Sequence, residues 1–175
     1  MARQKSIPDT EILSLALQHL LSDGEKSVSF ASVAALCGLA APTLVQRYGS
    51  RDAMVKSAIA HGWNRLQAAT LTASDDALIS AKGAQSLLKE VANSVDIPAL
   101  VAVGARDKDL TKDAAGWRAQ VESALSDRLG GGTKGREAAG LMFAAWQGRL
   151  MWDAAGGKSF RLGEALRKLA DQRAM

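Results

Sequence analysis

Cysteine, proline and histidine are scarce in this 175-residue sequence, with one, three and two residues respectively. A single cysteine excludes an intrachain disulfide and a metal site built on clustered cysteines. The two histidines, His19 and His61, leave little material for a zinc site or a Ser/His/Asp triad. Long apolar runs are also missing: none approaches the ~18 residues of a membrane span, and no signal-like segment follows the N-terminus. We therefore expect a soluble, cytoplasmic protein without metal, cofactor or membrane partner.

Catalytic constellations are missing as well. Carboxylates are scattered along the chain, and no nucleophile–base set can be recognised. The glycine run Gly130–Gly132 follows a predicted helix, so it lacks the strand–loop–helix context of a phosphate-binding loop. We do not expect an enzyme. Cys37 is expected to be a small buried core residue, with redox sensing as the alternative.

The net charge of +4 does not locate a partner by itself. Residues 1–60 hold six basic and five acidic side chains, so their net charge is only +1. The local arrangement is more informative, because the segment from Gly38 to Arg65 holds four basic side chains and one acidic side chain. This segment is a modest basic stripe.

Apolar residues recur at helical spacing along the chain, and no convincing strand pattern exists. Four N-terminal helices are predicted: Pro8–Ser22, Phe30–Cys37 with Ser29 as N-cap, a short helix to Tyr48 with Pro42 in its first turn, and a long helix capped by Ser50. Five more are marked by Ala84–Val95, Ile97–Gly104 (with a strand as the alternative), Leu110–Leu125, Arg136–Ala154 and Phe160–Gln172. The predicted fold class is all-α.

The segment from Ser29 to Met54 has the pattern of a helix-turn-helix. Two helices of about two turns each are separated by Gly38, a residue that favours the left-handed turn ending a helix. Apolar contacts between the two helices would come from Val33, Ala34, Leu39, Leu44 and Tyr48. Similar corners with a glycine turn also occur in proteins that bind no DNA.

In this segment an alanine precedes the glycine turn, and the turn is followed by an apolar residue, a Thr-Leu step, an aromatic residue and a Gly-Ser-basic-acidic run. These residues are Ala34, Gly38, Leu39, Thr43-Leu44, Tyr48 and Gly49-Ser50-Arg51-Asp52. With this pattern the segment resembles the DNA-binding domain of the TetR family of bacterial transcriptional repressors. The match is close over residues 10–60 and extends more loosely to Arg136–Trp152, with its Gln147-Gly148 step.

The resemblance implies a homodimeric repressor that binds a palindromic, double-stranded DNA operator and is released by a small molecule. A helix-turn-helix domain, residues 1–52, would be joined by a long helix to a ligand-binding and dimerisation bundle, residues 53–175. The helix Ala41–Tyr48 would enter the major groove. Ser29 would anchor a phosphate, Ala41, Pro42, Thr43 and Gln46 would face base edges, and Arg47 and Arg51 would bind phosphates, with guanine as an alternative for Arg47.

Two positions depart from the family pattern. Ala40 stands where the family commonly has a capping serine, a loss worth ~1 kcal/mol to the following helix. Val45 stands where the family commonly has a tyrosine that reaches a phosphate. These changes leave a second hypothesis open, a helical interaction protein of the same fold that has lost operator binding.

All four tryptophans follow residue 60, in the half of the chain without the DNA-binding motif. The predicted effector is mainly apolar or amphipathic, and its site consists of Trp63, Trp117, Met142, Phe143 and Trp146. Core packing or a dimer seam is the alternative for these residues, and it is the preferred interpretation of Trp152. Small residues such as Ala145 and Gly148 would allow close helix approach in a dimer held by the last two helices, with Phe160 nearby.

Overall fold

The structure is a computed structural model that describes residues 7–105 and 107–156. Within these residues the chain forms eight α helices, two short 3₁₀ turns and no strand, which confirms the all-α fold class. The helices are α1 Asp9–Asp23, α2 Phe30–Cys37, α3 Ala41–Tyr48, α4 Arg51–Asp76, α5 Ala81–Ala92, α6 Ile97–Gly104, α7 Lys108–Arg128 and α8 Gly132–Trp152. The predicted helix Phe160–Gln172 and the dimer contact at Phe160 lie outside the described residues. No single helix in the described part of the chain is long and apolar enough to cross a membrane.

Most predicted helix bounds hold, and three need correction. Pro8 precedes α1 as its N-cap instead of lying in the first turn. α5 ends at Ala92, so Val95 is not part of it; the Ser94 hydroxyl donates 2.7 Å to the Val91 carbonyl and supports the turn that follows. α8 begins at Gly132, four residues earlier than predicted, and the three glycines Gly130, Gly131 and Gly132 all have the positive φ that the turn before the helix requires. Ile97–Gly104 is a helix, so the alternative of a strand is wrong.

Packing divides the chain into two compact units. The first unit holds the described residues up to Arg65 together with those of Ala99–Asp113, and the second holds Leu66–Pro98 and the described residues from Ala114 to Gly156. A division by packing does not test a functional boundary. The boundary at residue 52 therefore stays a prediction.

The first unit has a core of side chains from α1, α2, α3, α4 and α6. These buried residues are Ile12, Ala16, Leu17, Leu20, Val33, Ala34, Leu44, Met54, Ala58, Trp63 and Leu100. Gly62 makes the close packing of α4 possible, since a Cβ there would lie 2.9 Å from a methyl group of Leu17 and 3.0 Å from one of Leu100. The absence of a side chain at Gly62 lets α1, α4 and α6 meet.

The second unit is built from the last part of α4, all of α5, most of α7 and α8. Arg128, 6% exposed, donates from Nη1 to the carbonyl of Ala124 at 2.8 Å and from Nη2 to those of Ser74 and Ala77. Its guanidinium thereby satisfies carbonyl groups that the end of α4 leaves without helical partners. Trp117, Phe143 and Trp146 are buried in this unit, together with side chains of α5 such as Leu87 and Val91.

Candidate nucleic-acid interface

α2 begins with a capping box at Ser29. The Ser29 hydroxyl accepts a hydrogen bond of 3.0 Å from the backbone N–H of Ser32, and the Ser32 hydroxyl accepts one of 2.9 Å from the backbone N–H of Ser29. The predicted N-cap is confirmed. This arrangement satisfies two amide groups at the positive end of α2. Whether Ser29 also anchors a phosphate stays a prediction.

Gly38 makes the turn between α2 and α3. Its φ of 67° and ψ of 29° lie in the left-handed region, and the next amide, that of Leu39, donates 2.9 Å to the Ala34 carbonyl. This conformation and this hydrogen bond end α2 at Cys37. The axes of α2 and α3 then differ by 113°. The angle lies in the range of a helix-turn-helix corner.

α3 presents most of its surface to solvent, because Leu44 is its only buried residue. Pro42, Val45, Gln46 and Arg47 are exposed, whereas Ala41, Thr43 and Tyr48 are half-buried. Ala40 makes no side-chain cap, and only its carbonyl contributes, accepting 2.9 Å from the Thr43 amide. Of the four residues predicted to face base edges, Pro42 and Gln46 are the two that stand fully outward.

Arg47 and Tyr48 are both bound to the first residue of α1. The Arg47 Nη1 donates 2.9 Å to a carboxylate oxygen of Asp9 and 2.9 Å to the carbonyl of Ile7. The Tyr48 hydroxyl donates 3.3 Å to the same Asp9 oxygen. We call Asp9, Arg47 and Tyr48 the Asp9 clamp. It fastens the end of α3 to the start of α1.

Arg51 fastens α4 to the connection between α1 and α2. Its Nε donates 2.7 Å to the Val28 carbonyl, its Nη2 donates to the Glu25 carbonyl, and its Nη1 lies 2.9 Å from the Asp52 carboxylate. Hydrogen bonds from a charged donor to carbonyl groups are worth more than neutral ones, about 1.5–3 kcal/mol each. Sequence reasoning missed these contacts. The six basic and five acidic side chains of residues 1–60 were a signal for them, because near-equal numbers of opposite charges favour ion pairs.

Lys56 is paired as well. Its Nζ lies 2.8 Å from one carboxylate oxygen of Asp107 and 3.6 Å from the Asp109 carboxylate. The hydrogen bond from Lys56, together with the backbone amide of Asp109, lowers the pKa of Asp107, and the same bond raises the pKa of Lys56. Three of the four basic side chains in the predicted stripe, those of Arg47, Arg51 and Lys56, are therefore ion-paired within the first unit. Their positive charge is largely balanced locally.

An open groove of about 780 Å³ lies beside Arg51. Its lining combines two acidic and two basic side chains with a glycine: Asp23, Glu25, Lys26, Arg51 and Gly24. The mixed charges give no net attraction for either an anion or a cation. None of the predicted effector-binding residues lines it.

The residues predicted to bind an effector are divided between the two units. Trp63 is fully buried in the first unit, where its indole nitrogen lies next to Gly104. Trp117, Phe143 and Trp146 meet in the second unit, with ring centroids 5.7–6.3 Å apart, and Met142 is also buried. The Trp117 indole donates 3.0 Å to the hydroxyl of Thr70. We call the three rings the aromatic cluster.

Several large apolar side chains of α8 are exposed. Leu141, Met151 and Trp152 are 54%, 70% and 66% exposed, and a Cβ at Gly148 would meet no atom within 4 Å. The interpretation of Trp152 as a core residue is wrong for the described chain, because it stands at the exposed end of α8. A dimer seam stays a prediction. Cys37 is buried as expected, and its burial raises the pKa of the thiol.

The Asp9 clamp predicts an unusual titration of Tyr48, the only tyrosine in the chain. Burial, and then the negative charge of Asp9, raise the pKa of the phenol from 10 to about 12. Because the folded pKa is the higher one, the contribution of Tyr48 to the free energy of unfolding should be constant below pH 10 and should be lost between pH 10 and 12. Absorbance at 295 nm measures the ionisation, and Asp9→Asn should lower the midpoint while leaving it above 10. A midpoint near 10 in a chain that keeps its helical circular dichroism would contradict the clamp.

Comparison with known proteins agrees with this geometry. No family model matches the sequence, and no curated protein matches it. The crystal structure of PfmR, a TetR family transcriptional regulator from Thermus thermophilus, matches with a TM-score of 0.62 over 91% of this chain and 94% of that one, at 18% identity. The chain therefore has a TetR-like fold.

Proposed function

We propose that the protein is a DNA-binding transcriptional regulator in which α2 and α3 form the helix-turn-helix. The observation that carries this proposal is the corner at Gly38, with its 113° bend and its exposed second helix. A helix that buries one side chain and exposes Pro42, Val45 and Gln46 can enter a major groove about 12 Å wide. The TetR-like fold supports the same conclusion, since PfmR is a transcriptional regulator.

Phosphate contacts in this proposal come from few groups. The N-terminus of α2 at Ser29 offers oriented amides, and anions are favoured there. Arg47 uses one nitrogen in its described contacts, so its other N–H groups remain able to meet a phosphate while the clamp holds it. Arg51 is proposed as a weaker contact, since all three of its nitrogens donate within the chain.

The proposal is tested by selecting bound sequences from random DNA and measuring the affinity of the best site. Gln46→Ala should cost ~1–3 kcal/mol at that site and relax the preference at one base position. Gln18→Ala, an exposed glutamine on α1, is the matched control and should change nothing. If no sequence is enriched, and binding is as weak as to competitor DNA, the second hypothesis of an interaction protein is favoured. Ala40 and Val45, the two departures from the family pattern, support that hypothesis.

We also propose that the regulator is a homodimer that uses the exposed face of α8 and therefore reads a palindromic operator. The exposed large side chains on that helix, Leu141, Met151 and Trp152, are the kind that a subunit interface covers. A two-fold protein reads two half-sites related by the same symmetry.

Gly148→Arg tests the dimer. A charged side chain at a close helix crossing should give monomers in sedimentation experiments, since nothing in the described chain fills the space at Gly148. Gly116→Arg, on the exposed surface of α7, also meets no neighbour and should stay dimeric. A dimeric Gly148→Arg protein would place the interface elsewhere.

The proposed effector is an apolar or amphipathic small molecule that binds at the aromatic cluster and releases DNA. Support comes from the three buried rings and from the Nε2 of Gln147, a buried donor next to Trp146 in sequence that has no partner among the described residues. Such an atom is satisfied at little cost by an acceptor on a ligand.

Binding of the effector is expected to quench tryptophan fluorescence and to be weaker when operator DNA is bound. The effector can release DNA only if it binds the free protein more tightly than the operator-bound protein. Operator DNA must then weaken effector binding by the same factor. Titrations of free and operator-bound protein with a quenching ligand measure that coupling. Equal affinities would rule out release, although not DNA binding.

A further inference from the structure

We infer that the exposed surface of α3 reads A·T base pairs, through thymine methyl groups and adenine, and that the Asp9 clamp keeps Arg47 away from guanine. This inference depends on the proposed function and adds the class of sequence that is recognised. It follows from which side chains of α3 face outward and which are held by the rest of the chain.

The outward stripe of α3 follows from its one buried residue. At 3.6 residues per turn, Pro42 and Gln46 each lie ~160° around the helix from Leu44, on the face opposite the core. Val45 lies ~100° from Leu44 and is 45% exposed. The stripe therefore offers two apolar side chains and one amide, and no charge.

These groups match one kind of base pair. The C5-methyl of thymine is the apolar group that the major groove presents, and Pro42 and Val45 are able to contact it. The side-chain amide of Gln46 is suited to the paired acceptor and donor of adenine. Both partners of an A·T pair are thus recognised by the residues that α3 exposes.

Guanine is most often read by an arginine or lysine that donates two hydrogen bonds. α3 contains one such residue, Arg47, which lies ~60° around the helix from the buried Leu44 and so points along the flank toward α1. Two hydrogen bonds of 2.9 Å, to Asp9 and to the Ile7 carbonyl, hold its Nη1 on that flank. Moving Arg47 to a base edge would leave the Asp9 carboxylate without its cation.

The first experiment uses the full chain and the best site from the selection described above. Replacing thymine by uracil in the half-site removes the methyl groups and keeps the base pairing. Each contacted methyl should be worth about 4-fold in affinity. Val45→Ala should make the protein less sensitive to this replacement, whereas Leu36→Ala, an apolar side chain of α2 that is 50% exposed, should not.

The second experiment changes the clamp. Replacing the A·T pair under Gln46 by G·C should weaken binding by the natural protein roughly 5- to 140-fold. Asp9→Asn frees Arg47 and should reduce this penalty. Specific DNA binding with unchanged affinity for uracil-containing sites, or with selected G·C pairs in the half-site, would overturn the inference and leave the proposed function standing. Absence of any specific DNA binding would overturn the proposed function, and the inference with it.

Discussion

The left-handed turn at Gly38 is the constraint on which the first unit depends. A residue with a side chain would be strained by about 1–2 kcal/mol at this φ, and the buried residues Val33, Ala34 and Leu44 pack the two short helices at the angle that the turn sets. α3 contributes only Leu44 to the core, so it cannot fix its own direction by burial. The turn orients α3, and the Asp9 clamp then fastens its far end. A helix held at both ends can present a rigid surface to a partner.

The basic side chains of α3 and α4 in the first unit stabilise the fold through ion pairs more than they attract a charged partner. Each of three basic side chains on α3 and α4 has a carboxylate within 3 Å, on α1, on α4 itself or in the segment before α7. A partner with many phosphates would meet three cations, Arg47, Arg51 and Lys56, that already have carboxylate partners. Recognition in the proposed complex must then rely on shape and on the uncharged groups of α3, and less on long-range attraction. This is the physical link between the clamp and the proposed preference for A·T pairs.

Much of the fold follows from local rules that act within a few residues. The N-cap at Ser29 and the end of α2 at Gly38 each depend on hydrogen bonds that span at most five positions. The buried face of α4, with Ile59 and Trp63 one turn apart, follows from helical periodicity. The end of α5 was harder to predict because the apolar pattern continues to Val95, beyond the point where the turn at Ser94 stops the helix.

The sequence by itself therefore determined the helices of the described chain, the N-cap at Ser29 and the glycine turn at Gly38. Only the tertiary structure decided which charges remain available and which aromatic residues meet. Arg47 finds Asp9 across 38 residues, and Trp117 finds Thr70 across 47. The pattern of residues within one helix cannot predict a hydrogen-bond partner that lies 38 or 47 residues away in the sequence. Such pairs are set by how helices pack, and packing depends on the whole core instead of on neighbouring residues.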